Sequence, residues 1–330
     1  LLRDRGVTLE LRPAGIVLLA MPMAAHSQPV GNGPRVGFLF YGAPGPSPEL
    51  EAFRQGLREV GYMEGQNISI AYRFASGQVG QLPALAAELV QLKLHVIVTP
   101  GTPASLAAKK ATSTVPIVFA AVADAVGAGL VASLAHPGGN MTGLTSISAA
   151  LGGKRLELLK EIVPKASRVA VLYNPVDRSN VLVLTGLQES SRSLGLALHA
   201  LPVRGPGDFE GAFAAMTRER TQALFVAAGV LTTEHRKSLV DLAARSRIPT
   251  MWGERQFVEV GGLMSYAVNF YDEIRRAAAY VSKIVKGAKP ADLPVEQPTT
   301  FELIINLKTA RVLGLTLPQS ILQQATEIIQ

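Results

Sequence analysis

The chain has 330 residues, of which 48% are apolar and 17% charged, with a formal net charge of +7 and no cysteine. That length and apolar content suit two domains of ordinary size or one large one, and exclude a disordered chain. The missing cysteines exclude disulfides, thiolate zinc sites, cysteine nucleophiles and a lipid-modified cysteine; the basic residues are scattered, so no groove for nucleic acid is expected.

Residues 1–27 read as an export signal. Arg3, Arg5 and Arg12 precede the apolar run "AGIVLLAMPMAA", and small residues Ala25 and Ser27 stand before the expected cut. The run is shorter than the ~20 residues a bilayer span needs. Asp4 and Glu10 are unusual in such a segment.

After Pro34, strands and helices alternate. "RVGFLFYG" is a strand, and Leu50, Phe53, Leu57 and Val60 then recur at helical spacing between a Ser47-Pro48 start and a Gly61 stop. "NISIAYRFA", "QLPALAAELVQLK", "HVIVTPG", "TPASLAAKKATS" and "PIVFAAV" continue the alternation. "AGLVASLA" reads as a short helix stopped by the turn "HPGGN". The pattern then restarts with "GGKRLELLKEIVP" and "RVAVLYNP", and runs through further helix–strand pairs to "PTMWG". Beyond Gly261 come a strand, "GGLMSYAVN", a long amphipathic helix, "FYDEIRRAAAYVSKIVKG", and a strand followed by a helix, "FELIINLKTARVLG". This is an α/β chain of two similar lobes with parallel sheets, and its cleft faces the carboxyl ends of the strands.

The sequence has no G-x-G-x-x-G after the first strand, no Walker loop and no G-x-S-x-G elbow. His26, His95, His136, His199 and His235 are dispersed, with no pair at helical spacing. No catalytic residue, metal or cofactor is therefore expected.

The candidate binding groups stand where strands end. Gly101 and Thr102 open a helix whose first amides suit an anion, although Thr102 also reads as a plain N-cap. Asp124 either caps the segment after it or holds an amine. Tyr173, Asn174, Ser179 and Asn180 bring uncharged polar groups beside an aromatic, with Asn-Pro also a common turn starter. Trp252 and Glu254 end one strand, and Tyr266 and Asn269 another; the aromatics read equally as core rim.

Several stretches carry a family likeness: "FRQGLREVGYMEGQNISIAYRFA", "VIVTPGTPASLAAKKAT", "GLVASLAHPGGNMTGLT", "GGLMSYAVN" and the tail "KGAKPADLPVEQPTTFELIINLKTA". From about Arg35 to its end the chain resembles the substrate-binding proteins of ABC transporters, the family that includes the tryptophan/tyrosine-type proteins of bacterial uptake systems. The resemblance implies the type I periplasmic-binding-protein architecture, with two Rossmann-like lobes and a hinge of three crossings. By that analogy the lobes are 34–144 plus 267–293 and 145–266 plus 294–330. It further implies a monomer in the periplasm that binds a small organic ligand, an aromatic amino acid favoured, and hands it to an inner-membrane permease. Tyr41, at the end of the first strand, is a further candidate, although its loop varies within the family and the resemblance assigns it no role. The family usually has Asp-Pro where this chain has Asp124-Ala125, which frees the turn. Two other readings stay open: a ligand sensor for a membrane receptor and, with less support, a nucleotide-dependent enzyme.

Overall fold

The computed structural model describes residues 33–330, so the expected export signal lies outside the described residues. The first sheet is built from β1 (Arg35–Phe40), β2 (Ser69–Phe74), β3 (Val96–Pro100), β4 (Ile117–Val122) and β5 (Met141–Thr145). Its order is β2-β1-β3-β4-β5, and every pairing is parallel. Three helices alternate with these strands: α1 (Pro48–Glu59), α2 (Leu82–Gln91) and α3 (Thr102–Ala111). Helix α1 forms where predicted. Ser47 Oγ accepts the Leu50 N–H, Pro48 occupies the first turn, and Leu50, Phe53 and Leu57 face inward.

The second half runs α4 (Gly152–Ile162), β6 (Arg168–Tyr173), α5 (Arg178–Ser191), β7 (Ala197–Pro202), α6 (Phe209–Arg218), β8 (Ala223–Val226), α7 (Val230–Glu234), α8 (Arg236–Arg245), β9 (Thr250–Trp252), α9 (Arg255–Glu259) and β10 (Met264–Ala267). There follow α10 (Phe270–Val285), β11 (Glu302–Asn306), α11 (Leu307–Val312), α12 (Gln319–Gln324) and β12 (Glu327–Ile329). The sheet order is β12-β11-β10-β9-β8-β6-β7, and only the β10–β11 pair is antiparallel.

Strands β7-β6-β8-β9-β10 thus repeat the order β2-β1-β3-β4-β5. In each sheet the winding reverses beside the first strand, between β1 and β3 and between β6 and β8. Loops leaving the carboxyl ends on either side of such a reversal diverge and open a crevice.

The chain passes between the sheets three times. Residues 146–151 lead from β5 to α4. Helix α10 follows a strand of the second sheet, yet packs its Ile274, Ala277, Ala278 and Val281 with Phe53 and Leu57 of α1 over the first. Residues 286–301 then return to β11, running beside β5 on the way. Glu296 N–H donates to Gly143 O (2.9 Å) and Thr145 N–H to Glu296 O (3.0 Å). Gly143 has φ +147, and a Cβ there would lie 1.9 Å from Phe119 O. Gly143→Ala is therefore expected to lower stability by about 3 kcal/mol, read as a reduced urea midpoint at unchanged m-value.

One predicted helix does not form. The predicted span, 128–135, holds the end of a turn at 125–129 followed by bends and irregular backbone. Both Leu130 and Val131 donate to Ala125 O, and Gly129 has φ +71, so the chain reverses before an α-helical ladder can propagate. Among the described residues, no helix is long and apolar enough to cross a membrane.

Candidate functional site

The two reversals face one another across a cavity of about 70 Å³. Its first-sheet wall comes from the ends of β1, β3 and β4: Tyr41, Gly101, Thr102, Pro103 and Ala123. The opposite wall comes from the loops after β6, β8 and β9, with Asp177, Ser179, Gly229 and Glu254. Ser146 and Ser148 of the first crossing, Arg155 of α4, and Val268, Phe270 and Glu273 around the second crossing complete it. An outer chamber of about 700 Å³ adjoins the cavity and shares Thr102, Pro103, Asp177 and Val230 with it. The lobes also touch at the rim, where the Arg178 guanidinium donates to Gly127 O (3.0 Å).

Five of the predicted site residues therefore meet in the cavity: Tyr41, Gly101, Thr102, Ser179 and Glu254. Thr102 is not the N-cap. Gly101, with φ +83, holds that position, and Thr102 Oγ1 accepts the Ala123 N–H, tying the ends of β3 and β4 together. Of the first turn of α3, Thr102 and Pro103 line the cavity, and since Pro103 has no N–H, Thr102 alone brings a backbone amide to that wall. Tyr41 is 8% exposed, and burial followed by the nearby Glu254 carboxylate raises its hydroxyl well above the ordinary value, so it stays a neutral donor.

The other candidates lie outside the cavity wall. Asp124 accepts the Gly127 N–H (2.8 Å), the capping alternative, and so shapes the loop that Arg178 reaches. Asn269 caps α10 by accepting from Asp272 N–H (3.1 Å) and donates to Glu302 (3.0 Å). Asn180 is fully buried; it accepts from Asn174 N–H (2.9 Å) and donates to Ala228 O (2.8 Å), bracing the loops after β6 and β8. Asn174 folds back on Val176 N–H (3.1 Å) as a turn residue and lines only the outer chamber. Tyr173 and Tyr266 pack on the core of the second lobe, Tyr266 against Phe301. Trp252, 1% exposed, stacks on Phe257 inside the second lobe. These side chains satisfy backbone or core, and the same oxygens that suit a ligand suit an N-cap.

Sequence reasoning missed Arg155 and Glu273. Both sit on the apolar stripe of a helix, Arg155 in register with Leu159 and Ile162, and Glu273 with Ala277 and Ile284. A lone charge at such a position is the signal that marks them. Arg155 is 1% exposed and spans three segments: Nε donates to Tyr266 O (2.8 Å), Nη1 to Ser148 O (2.9 Å) and Oγ (3.0 Å), and Nη2 reaches Gly253 O (3.4 Å). Its guanidinium lies over the Phe225 ring at 5.6 Å. Burial lowers its pKa to about 10, against the pull of Glu254.

Three carboxyls share the cavity wall. Glu254 is pushed up to about 7, chiefly by burial, with Arg155 opposing. Glu273, 3% exposed, is pushed up to about 8 by burial, with Arg276 opposing. Asp177 is raised by burial but accepts from Ser179 N–H (2.9 Å) and O–H (2.6 Å), capping α5. Glu273 Oε2 has no hydrogen-bond partner among the described residues. The arrangement is a pocket between the lobes with acceptors for a cation or other donors, the Thr102 amide for an anion, and apolar walls between them.

A family model described as ABC transporter substrate binding protein matches residues 43–329. The tyrosine-binding protein of Clostridioides difficile is 26% identical over 272 residues, which are 81% of this chain and 78% of that protein. A conserved domain protein from Vibrio cholerae superposes with a TM-score of 0.82 at 30% identity, over 89% of this chain and 99% of its own. An ABC domain from Streptococcus pneumoniae solved in complex with L-Trp gives a TM-score of 0.83 at 27% identity, over 90% of this chain and 100% of its own.

Proposed function

As the chain belongs to the ABC transporter substrate binding protein family, we propose that it captures an aromatic amino acid in the inter-lobe cavity and passes it to a membrane permease from the periplasm. The observation that carries this reading is the cavity itself. It draws its wall from both sheets at their winding reversals and combines Glu254 with the Gly101-Thr102 start of α3. The carboxylate of the ligand sits at the start of α3 beside the Thr102 amide, its ammonium faces Glu254, and Tyr41 and Phe270 flank the ring. Relatives named for tyrosine and solved with L-Trp support that ligand class.

Lobes 34–144 plus 267–293 and 145–266 plus 294–330 part and close about the three crossings. A ligand that touches both walls favours the closed form, because only there are all its contacts made at once. The Arg178–Gly127 contact is available only when the lobes approach.

Thermal unfolding of the purified protein with each of the twenty amino acids tests this. L-Tyr or L-Trp at a hundredfold excess over Kd is expected to stabilise it by about 2.7 kcal/mol, a shift of several degrees. X-ray scattering should record a smaller radius of gyration with the same compound. No shift with any amino acid would sink the reading.

A further inference from the structure

Glu273 has no role in holding the fold together that its surroundings reveal. It projects from the first turn of α10, is 3% exposed, lines the cavity, and leaves Oε2 without a partner. A buried carboxyl oxygen with nothing to bond is costly, and such groups are rare enough to require a reason. The nearest cation to influence it, Arg276, bonds Glu296. Glu273 therefore lines the cavity and carries a buried acceptor with no partner among the described residues.

Its neighbour along the helix supplies the context. Phe270 stands three residues earlier, on the same side of α10, and also lines the cavity. Val268 and Ala267 extend that wall. One wall thus offers an aromatic face and aliphatic surface, interrupted by a single acidic group. That pattern matches a flat ring carrying one hydrogen-bond donor at its edge.

Resting on the function proposed above, we infer that Glu273 determines specificity within the aromatic amino acids by accepting a hydrogen bond from the ring donor, the phenol O–H of tyrosine or the indole N–H of tryptophan. The two cavity glutamates divide the work. Glu254, with the Arg155 cation opposing the effect of its burial, suits the ammonium. Glu273, held neutral to higher pH by its burial, suits an uncharged donor. Phenylalanine fills the same space but leaves Oε2 buried and unpaired, and a site built round a hydrogen bond rejects the analogue that lacks the donor.

Isothermal titration calorimetry of the full chain with L-Tyr, L-Trp and L-Phe is the test. Wild type is expected to bind L-Tyr or L-Trp at least ~100-fold more tightly than L-Phe. In Glu273→Leu that ratio should fall to within about fivefold, mainly through weaker binding of the ring-donor ligand. Glu273→Gln, which keeps an acceptor, should retain a preference of at least about tenfold. Equal binding of the three amino acids by wild type overturns this inference alone, and needs no variant to fold. An undiminished ratio in a folded Glu273→Leu overturns it too. Binding of none of the three overturns the proposed function as well.

Discussion

Arg155→Ala is expected to destabilise the ligand-free protein by about 3–5 kcal/mol, the largest loss for any single side chain at the site. The guanidinium is the common partner of Ser148 in the first crossing, Gly253 after β9 and Tyr266 at the end of β10. Alanine leaves those buried acceptors without donors and removes the cation over Phe225. Arg155→Lys should restore less than half the loss, because one ammonium cannot span three segments in the planar fork that arginine provides. Urea unfolding measures both. Ligand affinity should fall as well, since Glu254 loses the charge that favours its ionised form. An Arg155→Ala protein with wild-type midpoint and affinity would show that this network is incidental.

The second large effect is on pH dependence. Glu254 and Glu273 have folded pKa values of about 7 and about 8, raised from 4.5. A carboxyl raised on folding favours the native state when protonated. Its contribution is fully present below pH 4.5 and is lost as pH rises through the folded value. For the deeply buried Glu273 the loss is on the order of 3 kcal/mol. Glu273→Gln removes that titration, so the variant should gain on wild type progressively from about pH 5 to about pH 8. Ligand binding runs the other way. An ammonium beside Glu254 favours its carboxylate, so binding releases protons and Kd should tighten as pH rises from about 6 to about 8. Calorimetry in two buffers of different ionisation enthalpy counts those protons. A Kd flat over this range, or unchanged in Glu254→Gln, would detach Glu254 from the ligand.

The fold was legible because each lobe repeats one physical unit. A short apolar strand ends in a polar loop, and a helix with a single apolar stripe follows. The run 128–135 departs from the expected helix because alanine, leucine and valine suit a helix by composition, while Gly129 at positive φ and the two hydrogen bonds to Ala125 O make turns. At the site the difficulty was different. Asp124, Asn180 and Asn269 stand at strand ends, as ligand-binding groups do, but their oxygens accept backbone N–H groups. Sequence spacing does not say which donor an oxygen will meet. Glu254 and Thr102 were found because loops at the winding reversals converge. Arg155 and Glu273 were hidden inside helices, where a charge among leucines and alanines is easily read as a stray.

The placement of α10 has a consequence for how the protein is made. The residues of the first sheet are complete at Thr145, yet the helix that covers one of its faces ends only at Val285. Until α10 is in place, Phe53, Leu57 and their neighbours lack the packing of Ile274, Ala277, Ala278 and Val281. The amino-terminal lobe therefore cannot finish before the carboxyl-terminal one has been largely synthesised. A chain cut near residue 150 is expected to remain sticky and open to proteolysis.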